Sequence, residues 1–153
     1  MEREEGAVEA RIKADTITAL KAGDKRKAQA LRLLTAALKK ERIDSRKQPT
    51  EADEYALLGR ERKRRQESAE VYEKAGRADL LEQEDFEAGL IESYLPAGLS
   101  EAELTALVDE TIAAVGASSP KEMGKVMAAL MPQVAGRADG KLVSATVRAR
   151  LGA

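Results

Sequence analysis

The chain has 153 residues, 43% hydrophobic, 35% charged and 3% aromatic, with no Trp, Cys or His and a net charge of −1. That length suits one domain or two small ones, and a sequence rich in Ala, Leu, Glu, Lys and Arg is that of an all-α protein. Without Cys or His there is no disulfide, no Cys-His or Ser-His-Asp catalysis and no histidine- or thiolate-held zinc, so an active site would rest on carboxylates, Lys, Ser, Thr or Tyr.

The first helix is expected from about Glu4 to Ala22, with Val8, Ile12 and Leu20 on related faces and Gly23 just past its end. Asp24 is the expected N-cap of the second. There Leu31, Leu34 and Leu38, flanked by Ala30 and Ala37, repeat at i, i+3 and i+7 as a buried stripe. Pro49 stops helical geometry and biases Gln48 to extended backbone. Thr50 with Asp53 is a near capping box that opens a long helix to about Ala75, closed by Gly76. Its apolar face is thin: Tyr55, Leu58, Ala69 and Tyr72. Residues 60–65 (Arg-Glu-Arg-Lys-Arg-Arg) are basic all round and read as mostly solvent-facing, a candidate surface for a protein partner. Asp79 with Glu82 reads as the next N-cap, and Leu80, Phe86, Leu90, Ile91 and Tyr94 carry that helix to Pro96.

Pro96-Ala97-Gly98-Leu99 is the clearest break, and a boundary is expected there, between an N-terminal helical domain (1–96) and a small three-helix domain (97–153). Ser100 with Glu103 is a full capping box for a helix burying Leu104, Leu107, Val108, Ile112 and Val115. Ser118, Ser119 and Pro120 start the next helix, to Val134, with proline near N1. Asp139 caps the last, holding Leu142, Val143, Val147 and Leu151.

The segment from Gly116 to Val143 is the most informative. Met123, Val126, Met127, Leu130, Met131 and Val134 recur at helical spacing and make a core face, where methionine fills irregular gaps. Gly124 and Ala128 lie off that stripe, and glycine is unfavourable in a helix by roughly 1 kcal/mol against alanine. Two readings stand: close packing of a neighbouring helix, or close approach of a ligand. Lys121 and Lys125 are four residues apart and project from one polar side. The loop Gly136-Arg137-Ala138-Asp139-Gly140-Lys141 places glycines that permit φ > 0 beside a helix N-terminus, a setting that favours an anion. Lys141 in the first turn opposes the helix dipole, a mismatch that an external phosphate would offset. The candidate nucleic-acid-binding residues are therefore Lys121, Lys125, Arg137 and Lys141 with Gly124, Gly136 and Gly140. No stacking aromatic lies in this region, which disfavours splayed single-stranded bases and leaves shape-based contact with a folded RNA.

Charge is unevenly spread. Residues 21–65 carry 15 Lys/Arg against 7 Asp/Glu, residues 67–110 carry 2 against 13, and residues 111–153 carry 6 against 2. Such blocks either pack on one another or face a polyanion. The N-terminus lacks an apolar signal core and no apolar run approaches the ~20 residues of a membrane span, so a cytoplasmic protein without membrane contact is expected. Nothing calls for a cofactor.

Taken in order, Leu31-Arg32-Leu33-Leu34 with Ala36-Ala37-Leu38-Lys39, Ala75-Gly76-Arg77-Ala78-Asp79-Leu80, Tyr94-Leu95-Pro96 with Leu99-Ser100, Gly124-Lys125-Val126-Met127 and Gly136-Arg137-Ala138-Asp139-Gly140-Lys141-Leu142-Val143 resemble the YqeY-like (GatB/YqeY domain) family over nearly the whole chain. The resemblance implies an all-helical, two-part protein. Its C-terminal part would be similar to the tail of the B subunit of the glutamine-dependent aspartyl/glutamyl-tRNA amidotransferase, which helps hold tRNA. It does not carry catalysis across, because the glutaminase and ATP-using chemistry of that enzyme lie in another subunit and another domain. A carbon–nitrogen ligase activity with glutamine as amido donor would be inherited by domain resemblance only. The functions to weigh are a tRNA- or RNA-binding accessory module, an amidotransferase-type enzyme and a protein-interaction adaptor.

Overall fold

A computed structural model of the chain describes residues 4–152. Its secondary structure is helical throughout: α1 Ala7–Lys21, α2 Lys25–Ser45, α3 Glu51–Lys74, α4 Ala78–Glu92, α5 Glu101–Val115, a 3-10 turn Pro120–Glu122, α6 Met123–Val134 and α7 Gly140–Arg150. The chain divides into two compact units, Met1–Tyr94 and Leu95–Ala153.

In the first unit α1 packs on α2 and α3 on α4, with α1 and α2 also touching α3. The core is built from Val8, Ile12 and Ala19 of α1, the Leu31-Leu34-Leu38 stripe of α2, Leu57 and Leu58 of α3, and Ile91 with Tyr94 at the end of α4. Short connections hold each pair. Gly23 (φ 77) and Gly76 (φ 69) take the left-handed conformation just beyond α1 and α3, which an L-residue adopts only with strain. Asp24 caps α2 by accepting the Lys27 N–H, and Thr50 and Asp53 form the reciprocal capping box of α3.

Helix α1 begins three residues later than the sequence suggested, with Gly6 as its N-cap. The reason is a buried side chain from another helix. Glu54 of α3 is 3% exposed, and its carboxylate accepts the N–H groups of Val8 (3.2 Å) and Glu9 (2.8 Å). It satisfies two of the donors that every helix N-terminus leaves open. Glu9, 1% exposed, pairs in turn with Arg42 of α2 at 3.2 Å. Tyr94 donates its hydroxyl to Asp15 and stacks under the Arg11 guanidinium, 4.9 Å from the ring centre.

Two further expectations in this unit are corrected. Asp79 does not cap α4: Arg77 is the N-cap, and Asp79 lies inside the first turn, paired with the Arg77 side chain at 3.4 Å. The segment 60–65 is not solvent-facing all round, since positions 61, 62, 63 and 65 are half-buried. Arg60 pairs with Glu41 of α2, Arg64 with Glu61, and Arg65 with Glu61 and with Glu87 of α4. Carboxylates of α2, of α3 itself and of α4 thus neutralise much of the local charge.

The second unit is three helices in mutual contact, α5, α6 and α7. Leu104 and Val108, Val126, Leu130 and Val134, and Val143, Val147 and Leu151 form its core, with Met123, Met127 and Met131 packed around them. The methionine stripe is core, as its period requires. Ser100 and Glu103 form the capping box of α5, and Gly116 (φ 68) ends that helix. Leu142 does not join the core. It is 47% exposed, whereas its neighbour Val143 is fully buried. Adjacent helical positions lie 100° apart, so the α7 face that buries Val143, Val147 and Leu151 turns Leu142 outward.

Candidate nucleic-acid interface

The residues before α6 do not extend that helix as an α-helix to Pro120. Pro120–Glu122 is a 3-10 turn, and α6 proper starts at Met123. Proline cannot donate, and the turn is closed instead by the Glu122 carboxylate, which accepts the N–H of Ser118 (2.6 Å) and of Ser119 (3.3 Å). Those backbone bonds hold Glu122 below the ordinary carboxylate range, with the nearby Lys125 ammonium adding to the effect. Lys121 sits in the turn and Lys125 in the first turn of α6, both exposed.

Gly124 lies between them and is exposed. A Cβ built on it would meet nothing within 4 Å, and the same holds for Gly140. Close packing of a neighbouring helix therefore does not explain Gly124, and Ala128 one turn on is exposed as well. The open surface is available to something outside the chain.

At the other end of α6 the backbone turns through Gly136, which is buried and left-handed (φ 72). The Arg137 carbonyl accepts the Leu99 N–H at 2.9 Å, and the Arg137 Nε donates to the Ala97 carbonyl at 2.9 Å. Arg137 thus fastens the segment before α5 to the α6–α7 turn, and its guanidinium is committed to backbone oxygens. Asp139 caps α7 by accepting the Lys141 N–H at 3.1 Å. Gly140 is the first residue of α7 and has no positive φ, so its role differs from that of Gly136. Lys141 is exposed in the first turn.

The candidate cations fall into two groups. Lys121 and Lys125 stand at the start of α6, and Arg137 and Lys141 beyond its end. The helix from Lys125 to Val134 alone spans roughly 14 Å of axis. The two groups thus stand at opposite ends of α6.

Residues 95–153 carry six Lys/Arg and six Asp/Glu, a net of zero, yet the signs are segregated. Helix α5 holds Glu101, Glu103, Asp109 and Glu110 and no cation, while all six cations lie from Lys121 onward. Of these, Arg150 is held bidentately by Asp109 at 2.7 and 2.8 Å. Lys121, Lys141 and Arg148 have side chains with no hydrogen bond or ion pair among the described residues. Arg148 lies outside the candidate set drawn from the sequence. Its signal was present: it follows Lys141 by seven residues, two helical turns, and so shares its face. Among the described residues no group of acidic side chains is placed to hold a metal ion, and no helix is long and apolar enough to cross a membrane.

An all-helical chain of two units, one of them a three-helix unit with a cation-bearing α6–α7 side, defines the structural class. Residues 9–151 match the family of Yqey-like proteins, and the chain belongs to that family. A 91-residue stretch, 58% of this chain, is 37% identical to Altered inheritance of mitochondria protein 41, mitochondrial, of Eremothecium gossypii. That stretch covers 49% of the relative, so the chain spans about half the length of the curated relative it matches.

Proposed function

We propose that this chain is an accessory RNA-binding module, with tRNA as its RNA, and that it contributes binding rather than catalysis. The observation that carries the reading is the pairing of cations that have no side-chain partner among the described residues with open glycines: Lys121 beside Gly124, and Lys141 beside Gly140, where no other described residue comes within 4 Å of a Cβ position. Cations of this kind engage phosphate oxygens without reading sequence, and a missing Cβ lets a backbone approach. The choice of tRNA over other polyanions rests on what the family resemblance implies for the C-terminal unit, a likeness to the tail of the tRNA amidotransferase B subunit. A carbon–nitrogen ligase activity has only that same resemblance behind it and is not part of the proposal. A protein-adaptor role through residues 60–65 is the weaker reading, because Arg60, Arg64 and Arg65 are already matched by Glu41, Glu61 and Glu87.

Filter retention of labelled tRNA at two salt concentrations tests this on the full chain. Wild type should retain tRNA at low salt and lose it steeply as salt rises, as counterion release requires. The triple variant Lys121→Ala/Lys125→Ala/Lys141→Ala should retain little at either. Negligible retention by wild type at low salt, equal to that of the variant, would reject the reading.

A further inference from the structure

We propose that the RNA element taken by the C-terminal unit is a double-stranded stem, gripped along its phosphate backbones, and that Arg148 is a contact residue in that grip. The inference deepens the RNA-binding reading and rests on it.

Recognition of single strands depends on stacking platforms, aromatic rings or free guanidinium planes on which successive bases lie. The C-terminal unit has none of the first: Phe86 and the three tyrosines all precede residue 95, and the chain has no Trp. Arg137, the guanidinium within the glycine loop, donates to the carbonyls of Ala97 and Gln133 and would have to give up both bonds to stack on a base. Arg150 is held by Asp109. What remains facing outward is Lys121, Lys125, Lys141 and Arg148, three of them point charges suited to phosphate rather than to base edges.

The spacing of these charges is fixed by helices. Lys141 and Arg148 share one face of α7, about 10 Å apart along its axis, and Lys125 stands roughly 14 Å from the far end of α6. A rigid array of cations is best matched by a rigid array of phosphates. A duplex supplies one at regular intervals on each strand, so both partners are ordered before they meet. A single strand would have to be ordered on binding, and with no ring in this unit and Arg148 its one outward-facing guanidinium without a bond among the described residues, stacking would offset little of that loss. The acidic α5, lacking any cation, limits the attractive surface to the α6–α7 side.

Fluorescence anisotropy with the full chain at low salt decides the matter. One probe is an RNA hairpin with a stem of about 16 base pairs, long enough to show two successive minor grooves. The other is a non-self-complementary single-stranded RNA of equal length. The hairpin should bind at least about tenfold more tightly, a difference of 1.4 kcal/mol. Arg148→Ala should weaken hairpin binding several-fold and lower the slope of log K against log salt by about one, with unchanged helix content. Equal or tighter binding of the single strand overturns the duplex assignment while leaving RNA binding intact. An unchanged salt slope for Arg148→Ala removes that residue from the contact. Binding of neither probe, with no retention of tRNA, overturns the parent reading and this one together.

Discussion

The carboxylate of Glu54 occupies the space that a side chain on residue 6 would need: a Cβ on Gly6 would stand 2.3 Å from both the carboxyl carbon and Oε1 of Glu54. A helix from α1 and a helix from α3 are thereby joined at a point where one must have glycine and the other a carboxylate. Gly6→Ala is expected to destabilise the chain by about 1–3 kcal/mol, because Glu54 is buried and bonded and cannot swing away without abandoning two N–H groups. Urea denaturation followed by circular dichroism measures it. A change within about 0.5 kcal/mol, the range of ordinary surface substitutions, contradicts the account.

Burial pushes Glu54 above the usual carboxylate range, against the opposing pull of the Glu9 and Val8 N–H groups. A carboxyl raised in the folded state favours folding most when protonated, and that contribution is lost as pH rises through the raised value. The stability difference between Glu54→Gln and wild type should therefore move in favour of glutamine between pH 4 and pH 7. Denaturation midpoints of both proteins across that range test it, and a move in the opposite direction refutes it.

The Glu9–Arg42 pair is the most enclosed ion pair among those described, with side chains 2% and 10% exposed. Arg42→Ala would leave a nearly inaccessible carboxylate without its cation. A loss of about 3–5 kcal/mol follows. The double variant Glu9→Gln/Arg42→Met should recover much of it, since the uncompensated charge is gone. Failure of the double variant to recover anything would place the cost in packing instead.

Gly124 and Gly6 make opposite cases. With nothing within 4 Å of its Cβ position, Gly124→Ala should stabilise the C-terminal unit by up to about 0.5–1 kcal/mol, the ordinary helical preference for alanine. If the glycine is retained for approach of a phosphate backbone, the same substitution should weaken tRNA retention while raising the midpoint of unfolding. A stabilised variant with unchanged retention would show that the open surface at Gly124 is not part of the contact.

Arg137→Ala should lower stability by about 1 kcal/mol through loss of its bonds to the Ala97 and Gln133 carbonyls. Arg137→Lys should not restore it, since an ammonium lacks the planar fork. Thermal unfolding of the two variants provides the check, and full rescue by lysine would argue against the latch.

Local signals in the sequence located most of the helices. The Thr50/Asp53 and Ser100/Glu103 capping boxes, the glycines at 23 and 76 and the leucine stripe of α2 each act within one turn, so neighbouring residues suffice to read them. What escaped was tertiary. The start of α1 is set by Glu54, 48 positions from Gly6, and no local rule connects them. Arg65 looks like a solvated cation until α4 brings Glu87 beside it. The candidate interface was half visible: the lysines and glycines stood out by type, whereas the latch role of Arg137 required knowing that Ala97 lies against the α6–α7 turn. Arg148, which the duplex proposal adds, lies outside the glycine-rich segment from Gly116 to Val143.

The uneven distribution of rings has a practical consequence. Tyr55, Tyr72 and Tyr94 all belong to the first unit and the chain has no tryptophan, so intrinsic fluorescence is silent about residues 95–153. Far-ultraviolet dichroism registers the helices of both units. A titration monitored both ways separates them without any label: coincident curves mean that the two units melt as one cooperative body, and displaced curves assign the first transition to the unit that moves.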